Sequence, residues 1–354
     1  MTSPHSAGAL SDQRIAERRI LFGGVEEAFA AVRLTGPIAL LGTARSLAAI
    51  SDEAFVGAVV HRFAGVQPHN PRAVVDAAGA FVDANACRSV VAIGSSSAID
   101  LGKAVSDGRD VVLALAPSAL GGAEMSRGYG VLDGDRKAGG RLHSPAPVVV
   151  YDPELLATLP PRELGSIGLN AWAHTIEAAY ARTQHALGGA AAISAGRRLP
   201  PLLLQAAQRR DRSLHRALFE AAHLAGFALD ARSMGLHHAV CHVIGGLTRI
   251  PHGIVNAIVL PHAIRANGRL APKAVAAVAH AFAIQDLGVE AQRIAAAFAL
   301  PRSFAELGAP SDLPERALPR VMEQPLLKNN PAPPDAATVA ELLRGAYSGG
   351  TIRA

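Results

Sequence analysis

The chain is poor in aromatic residues, cysteine and long apolar runs. Aromatic residues make up 4% of its 354 residues, and its two cysteines, Cys87 and Cys241, form no CxxC pair. The first twenty residues contain no apolar segment typical of a signal peptide, and no uninterrupted apolar run is long enough for a membrane span. We therefore expect a cytoplasmic protein with buried, reduced thiols and no membrane partner.

Charge is also sparse. Charged residues make up 18% of the chain, and the formal net charge of +5 comes mainly from arginines that are scattered along the sequence. A nucleic-acid-binding surface would concentrate positive charge in a stripe with interleaved aromatic residues. We therefore expect no nucleic-acid partner, and the basic balance favours a small anionic substrate.

Half of the residues are apolar, and in the first half of the chain short apolar runs alternate with helical patterns. The runs are continuous, and each is closed by Gly, Pro or Asp-Pro; they lie at residues 37–42, 90–93, 111–116 and 148–150. Continuous runs are typical of parallel strands that are buried on both faces. We predict an α/β domain with a parallel sheet over residues 1–157, preceded by a loose tail over residues 1–17.

The second half has the pattern of a helical domain. Helical spacing of apolar residues recurs, while clusters of β-branched residues become rare; the stretches are 169–180, 191–208, 214–227, 273–283 and 336–347. Pro200 and Pro201 are expected to interrupt the second stretch. We predict an all-helical domain over residues 158–354.

Two loops that follow predicted strands have a composition suited to a phosphate or a nucleotide. Residues 94–97 (GSSS) open a helix, where small side chains and free backbone N–H groups favour an anion. The alternative is a tight turn with serine helix caps. Residues 117–125 leave the next strand at its carboxyl end, where ligands bind in α/β sheets. The GxGxxG fingerprint is absent.

A group of histidines lies on predicted helices in the second half. Asn170 and His174 are four residues apart, as are His238 and His242, and His252 follows closely. Histidines at this spacing on one helix face are typical of metal sites. A lone histidine on an apolar helix is usually a core residue, but the density here favours a functional cluster.

Together these motifs resemble the iron-containing (group III) alcohol dehydrogenases, and within them the maleylacetate reductase branch. The resemblance is carried by GSSSAIDLGK at 94–103, PSALGGAEM at 117–125, GLNAWAH at 168–174 and GLHHAVCH at 235–242. It implies the fold that this family shares with dehydroquinate synthase, with a dinucleotide-binding α/β domain and an all-helical substrate domain. It also implies an NAD(P)-dependent oxidoreductase that forms a homodimer.

Matched position by position, the resemblance implies the site residues. The cofactor-binding residues are Thr43, Gly94, Ser95, Ser96, Ser97, Asp100, Ser118, Ala119, Leu120 and Lys137. The catalytic residues are His174, His238, His242 and Lys137, and the candidate ligands of an iron or zinc ion are Asn170, His174, His238 and His252.

The choice between NAD and NADP stays open. The predicted strand before Thr43 is not followed by the carboxylate that usually holds the ribose hydroxyls of NAD. Thr43 and Arg45 would tolerate the 2′-phosphate of NADP.

Two departures from the family pattern leave three functions open. Asn170 stands in place of an anionic metal ligand, so metal occupancy is undecided. Ala239 stands where the reductase branch commonly has lysine. The first hypothesis is an NAD(P)H-dependent reductase of a small oxo acid, like the reduction of maleylacetate to 3-oxoadipate in aromatic catabolism, with His242 or His238 supplying a proton. The others are a metal-dependent alcohol dehydrogenase and an inactive homologue with a structural role.

Overall fold

The computed structural model describes residues 11–15, 18–134 and 136–349. The chain divides into two compact units, Met1–Leu159 with Asp211–Phe219, and Pro160–Arg210 with Glu220–Ala354. The division at Leu159 lies two residues after the boundary expected from the sequence. The short segment Asp211–Phe219, which was expected in the second domain, belongs to the first unit.

In the part of the chain that the structure describes, the first unit contains a seven-stranded sheet, a two-stranded ribbon and five helices that lie wholly within it. Its strands are β1 (Ser11–Ile15), β2 (Arg18–Phe22), β3 (Ile38–Leu41), β4 (Val60–Phe63), β5 (Ser89–Gly94), β6 (Val112–Pro117), β7 (Gly128–Asp133), β8 (Arg136–Arg141) and β9 (Val148–Tyr151). Its helices are α1 (Val25–Val32), α2 (Ala44–Leu47), α3 (Arg72–Ala84), α4 (Ser96–Ser106) and α5 (Pro153–Ala157).

The sheet order is β1-β2-β9-β6-β5-β3-β4, and the pairs from β2 to β4 are parallel. Alternate residues of each central strand enter the cores on opposite faces. Ile38 and Leu40 pack on one face of β3, while Ala39 and Leu41 pack on the other. Burial on both faces explains why these strands are continuous apolar runs, and the predicted parallel sheet is confirmed.

The sequence pattern missed several strands. Residues 11–15, expected within a loose tail, form β1, which pairs antiparallel with β2; residues 1–10, 16 and 17 lie outside the described part. The edge strand β4 has no fully buried residue, so it lacks the apolar run of a central strand. The ribbon β7–β8 is rich in glycine and charged residues, so its sequence also lacks the apolar run that predicts a strand.

The second unit is built of helices. They are α6 (Pro161–Tyr180), α7 (Ala186–Ala206), α8 (Arg212–Arg232), α9 (Leu236–Thr248), α10 (His252–Leu270), α11 (Pro272–Phe282), α12 (Leu287–Ala297), α13 (Leu313–Met322) and α14 (Ala336–Ser348), and α8 begins in the first unit. Within the described residues no single helix is long and apolar enough to cross a membrane. The pair α11 and α12 meets the length and apolarity criteria only jointly, across a 55° bend.

Helix α7 runs through Pro200 and Pro201, so the predicted interruption is wrong. A proline inside a helix leaves the carbonyl four residues earlier without its usual donor. The carbonyl of Gly196 is in that position relative to Pro200, and it accepts the indole N–H of Trp172 at 3.1 Å. A tertiary hydrogen bond thus replaces the lost helical one, and the helix continues.

Candidate active site

The carboxyl ends of β3, β5 and β6 lie side by side at the point where the sheet order reverses. Strand β4 follows β3 on one side, whereas β5 lies on the other. Such a switch point is the usual nucleotide-binding position of an open α/β sheet. Thr43, Gly94 and Ser118 stand at these three strand ends. The structure therefore brings a first loop, at Thr43, together with the two predicted loops, residues 94–97 (the second loop) and 117–125 (the third loop).

Two glycines allow the loops to approach closely. A Cβ atom on Gly42 would lie 3.0 Å from the carbonyl oxygen of Ile93 and 2.7 Å from Oγ of Ser46. Gly94 has a φ of +141°, which side-chain-bearing residues rarely adopt. Its carbonyl accepts the N–H of Ser118 at 2.8 Å, so the second and third loops are bonded to each other.

The serines of the second loop do not act as ordinary caps. Ser95 occupies the N-cap position of α4, but its side chain makes no capping hydrogen bond. Ser95 and Ser96 are exposed and Ser97 is half-buried. The turn therefore lacks the side-chain cap of the alternative interpretation, and its hydroxyls are accessible to an anion at the helix N-terminus.

The other predicted cofactor residues have different surroundings. Thr43 is exposed and caps α2, accepting the N–H of Ser46 at 3.2 Å. Ala119 and Leu120 are buried, so only their backbone can face a cofactor, while Ser118 is half-buried. For Lys137, the structure describes the backbone in β8 but the side chain lies outside the described part.

Asp100 is held by protein groups on both carboxylate oxygens. One oxygen lies 3.0 Å from Nζ of Lys103, and the other accepts the N–H of Gly130 at 3.1 Å. Lys103 is fully buried and also donates to the carbonyls of Ala123 and Gly128. This pair therefore ties the loop after β6 to α4, which is a positioning role for Asp100.

In the second unit, three helices bring the predicted histidines together. His174 lies on α6, His238 and His242 on α9, and His252 at the start of α10. The rings of His174 and His238 stack with centroids 4.7 Å apart, and His238 lies 6.1 Å from His242 and 6.3 Å from His252. The predicted clustering of these four residues is therefore seen in the helical unit.

Burial keeps several of these rings neutral. Desolvation and the neighbouring histidines hold the pKa of His174 and that of His238 well below the usual range. The pKa of His237 is lowered to about 3, mainly by burial and then by His238. Neutral imidazoles can donate or accept hydrogen bonds without placing a charge in this core.

His238 has a polar partner on each ring nitrogen. Its Nδ1 lies 2.6 Å from Oε2 of Glu177, and its Nε2 lies 3.1 Å from Oδ1 of Asn170. Burial raises the pKa of Glu177, while His237 and the backbone N–H groups of Gly235, His237 and His238 oppose this effect. The sequence analysis missed Glu177, although Asn170, His174 and Glu177 follow the spacing of a single helix face.

The donor set fits a divalent metal only in part. It offers the imidazoles of His174, His238 and His252, and Nδ1 of His174 is buried without a hydrogen-bond partner. Asn170, however, is a neutral amide in place of a carboxylate. Both nitrogens of His238 already have partners.

Among the described residues, the His, Cys, Asp and Glu side chains whose potential ligand atoms lie within 4.8 Å of one another are Glu177, His237 and His238. The 2.6 Å contact inside that group is a hydrogen-bond distance, shorter than the spacing of two ligands around one ion in regular geometry. The predicted set of Asn170, His174, His238 and His252 is not that group. We therefore assign no chemical step to a metal ion.

Both cysteines are buried and free, as expected. Sγ of Cys241 lies 3.4 Å from Nε2 of His237, and burial raises the pKa of the Cys241 thiol well above its usual range. Such a thiol is a packing group rather than a nucleophile.

The first unit has a sheet of the nucleotide-binding type with Gly- and Ser-rich loops at its switch point, and the helical unit gathers neutral histidines. Together these features define an oxidoreductase of the two-domain dehydrogenase class. Comparison with known proteins agrees. Residues 27–152 match the iron-containing alcohol dehydrogenase model, and residues 166–347 match the C-terminal model of the Fe-containing alcohol dehydrogenase family. The chain belongs to this family, and it is an NAD(P)-dependent oxidoreductase.

Several relatives are maleylacetate reductases. That of Burkholderia cepacia is 36% identical over 264 residues, covering 73% of this chain and 74% of the relative. That of Sphingobium indicum is 33% identical over 310 residues, covering 87% and 86%. The crystal structure of maleylacetate reductase from Agrobacterium tumefaciens superposes with a TM-score of 0.85 at 27% identity, covering 98% of this chain and 99% of that one. The predicted family and fold are confirmed.

Proposed function

We propose that this protein is an NAD(P)H-dependent reductase of a small anionic oxo acid of the maleylacetate type. The observation that carries the proposal is the neutral, hydrogen-bonded histidine cluster around Asn170 in a chain 36% identical to a maleylacetate reductase. A cluster of this kind supplies hydrogen-bond donors and a proton without requiring a metal ion.

The reduction adds a hydride and a proton across a carbon–carbon double bond conjugated to a carbonyl group. The nicotinamide gives the hydride and is oxidised, and the electron pair of the double bond moves toward the carbonyl oxygen as an enolate. His174 and His252 are the donors proposed for that oxygen. His242, in its protonated imidazolium form, gives the proton to the second carbon and is then reprotonated from solvent, because imidazole can exchange protons near neutral pH.

For the cofactor, we propose that the pyrophosphate lies on residues 94–97 and the nicotinamide lies near Ser118 to Leu120. The free helix N-terminus of α4 and the exposed hydroxyls of Ser95 and Ser96 support the first assignment. No carboxylate follows β3, and both Thr43 and Arg45 are exposed there. This arrangement accepts NADPH as well as NADH.

A metal-dependent alcohol dehydrogenase is the second candidate. The convergence of three imidazoles from α6, α9 and α10 favours it. Asn170 weakens it, since the ligand set carries no negative charge. An inactive homologue is less well supported, because the loops at the switch point retain the small residues that a nucleotide requires.

The proposal is tested by mixing the purified protein with NADH or NADPH and following the loss of reduced-nicotinamide absorbance after maleylacetate is added, with and without EDTA. We expect rapid oxidation that EDTA does not slow. The matched control is His242→Asn, which should bind NADPH normally but lose about 100-fold in kcat.

Oxidation that EDTA abolishes and zinc restores would favour the alcohol dehydrogenase. No oxidation of any oxo acid, despite NADPH binding detected by fluorescence, would refute the reductase. We also propose a cytoplasmic location, a homodimer, and no nucleic-acid or membrane partner.

A further inference from the structure

The helical unit contains a small cavity between α10 and α12, which we call the α10–α12 cavity. Its volume is about 170 Å³, and its wall is completed by residues 301 and 302 and by Gly349 at the end of α14. None of the predicted site histidines lines it. His262, which does, follows His252 by ten residues, or about 15 Å along the axis of α10. The cavity is therefore separate from the histidine cluster.

The ring of His262 is a polar group in this wall that lacks a partner. The side chain is 8% exposed, and neither ring nitrogen has a hydrogen-bond partner among the residues that the structure describes. A Cβ atom on Gly345 would lie 2.8 Å from Nδ1 of His262, so the glycine leaves room for the ring against α14. A largely buried ring nitrogen without a partner costs free energy, and a ligand in the cavity can supply the missing hydrogen bond.

The charge at the cavity is positive. Arg302 lines it, and the guanidinium forms no ion pair or hydrogen bond with the described part of the chain. The backbone N–H of Arg302 donates to Oε2 of Glu306 at 2.8 Å, but no aspartate or glutamate is among the described residues that line the cavity. Burial, and then Arg265, lower the pKa of His262 to about 4, so its ring is a neutral donor at pH 7. A guanidinium beside an imidazole N–H favours a carboxylate.

Most of the remaining wall is apolar. It is formed by Ile258 and Pro261 on α10 and by Ala295 and Ala296 on α12, and Gln292 adds one amide. Cavities that hold drug-sized ligands are larger, about 300 Å³ or more. The α10–α12 cavity therefore has room for a single ring or a short chain.

We propose that the α10–α12 cavity is a second ligand site, which binds a small carboxylic acid with an apolar body. The carboxylate bonds to Arg302 and His262, and the body packs on the apolar wall. This site is independent of the proposed reductase reaction. It places a ligand against the same helix that carries His252.

The first test is calorimetric titration of the full-length protein with benzoate at pH 7. Benzamide, which has the same shape without the charge, is the matched control ligand. We expect benzoate to bind with a Kd of about 1 mM or lower, and benzamide to bind at least about tenfold more weakly. In NMR spectra of protein with ¹³C-labelled histidine, benzoate should shift the ring signal of His262, which the His262→Gln variant identifies.

Two variants test the wall of the cavity. Arg302→Gln removes the cation and should weaken benzoate binding about tenfold. Ala296→Leu fills the cavity from an exposed position and should weaken binding by a similar factor. Ala297→Leu makes the same change at the next position of α12, which is also exposed but does not line the cavity, and should bind benzoate as the wild type does.

Arg249→Gln separates this site from the proposed substrate site and should leave benzoate binding unchanged. Benzoate binding that Arg249→Gln weakens and Arg302→Gln does not would overturn the proposal, as would an unshifted His262 signal at about 10 mM benzoate, tenfold above the expected Kd. A protein that binds benzoate in this way but reduces no oxo acid would refute the proposed function and support the second site.

Discussion

At the scale of single residues, Asn170 decides which partner Nε2 of His238 receives. The amide lies 3.1 Å from that nitrogen and can rotate to donate an N–H to it. If a carboxylate stood at the same place, the lone pairs of its oxygen and of Nε2 of His238 would repel each other, unless a proton or a cation lay between them. An amide at position 170 can therefore bond His238 directly, whereas a carboxylate there would need a proton or a cation between the two groups.

We predict that Asn170→Asp creates a metal site. Its affinity for Zn²⁺ should exceed that of the wild type by about tenfold or more, because the site regains an anionic ligand beside three imidazoles. Equilibrium dialysis with elemental analysis measures this change. Asn170→Ala, which has neither an amide nor a carboxylate, is the control; equal zinc binding by all three proteins would contradict the prediction.

Burial of His262 makes the stability of the helical unit depend on pH. It is 8% exposed on α10, and its pKa is lowered to about 4, mainly by burial and further by Arg265. The unfolded chain binds this proton near pH 6.5, so between pH 6.5 and 4 the unfolded state holds more protons than the folded state. The neutral ring makes its full contribution to stability above pH 6.5, and this contribution is lost as the pH falls toward 4.

We predict that His262→Gln reduces this loss. Between pH 7 and pH 4 the free energy of unfolding of the wild type should fall by about 3 kcal/mol more than that of the variant. Urea unfolding at both pH values checks the difference. His280→Gln makes the same change at an exposed position on α11 and should follow the wild type; a His262→Gln curve parallel to that of the wild type would refute the assignment.

At the scale of elements, α4 and the loop after β6 are joined through Lys103. This lysine is fully buried and contacts Asp100, the carbonyl of Ala123 and the carbonyl of Gly128. The bonds hold the segment that follows the proposed nicotinamide loop. We therefore expect Lys103 to connect the stability of the unit with cofactor binding.

We predict that Lys103→Met destabilises the protein by about 3 kcal/mol, because the carboxylate of Asp100 and two carbonyls lose their donor. NADPH should also bind more weakly, since the loop is no longer tied to α4. Thermal unfolding and fluorescence titration measure the two effects. Lys273→Met, at an exposed position on α11, should change neither.

Helix α9 continues its histidine face toward its C-terminus. His238, His242, Gly245 and Arg249 are spaced by four, three and four residues, which places them on one side of the helix. A Cβ atom on Gly245 or on its neighbour Gly246 would meet nothing within 4 Å. Ala239 is fully buried and uncharged, so it offers nothing to an anionic substrate. The positively charged residue on this helix face is Arg249, at the C-cap.

We predict that Arg249 binds a carboxylate of the substrate. Arg249→Ala should raise KM for maleylacetate about tenfold with kcat within about threefold of the wild type. Arg249→Lys, which keeps the charge, should have a KM between those of the wild type and Arg249→Ala. Arg344→Ala, an exposed arginine on α14, serves as the control, and an unchanged KM for the dicarboxylate would rule out this role.

At the scale of the whole molecule, the main prediction concerns the oligomeric state in solution. The family resemblance predicts a homodimer formed through the first domain. Light scattering after size-exclusion chromatography should give twice the monomer mass at micromolar concentration. A monomer mass across the concentration range would show that this expectation is wrong.

The sequence by itself determined the family, much of the fold and the clustering of the histidines. Continuous apolar runs predicted the central parallel strands, because burial on both faces leaves no room for polar residues. The spacing within the pairs Asn170–His174 and His238–His242 predicted shared helix faces, because residues four apart lie on one side of a helix. The fold family followed from the motifs around these residues.

Only the tertiary structure decided which polar groups become partners. Glu177 met His238, and Trp172 supplied the donor that lets α7 pass through Pro200. The edge strands β1 and β4 also depended on pairing with neighbours rather than on their own composition. Local sequence fixes the period and burial of an element, whereas a hydrogen bond between distant residues depends on how the elements pack.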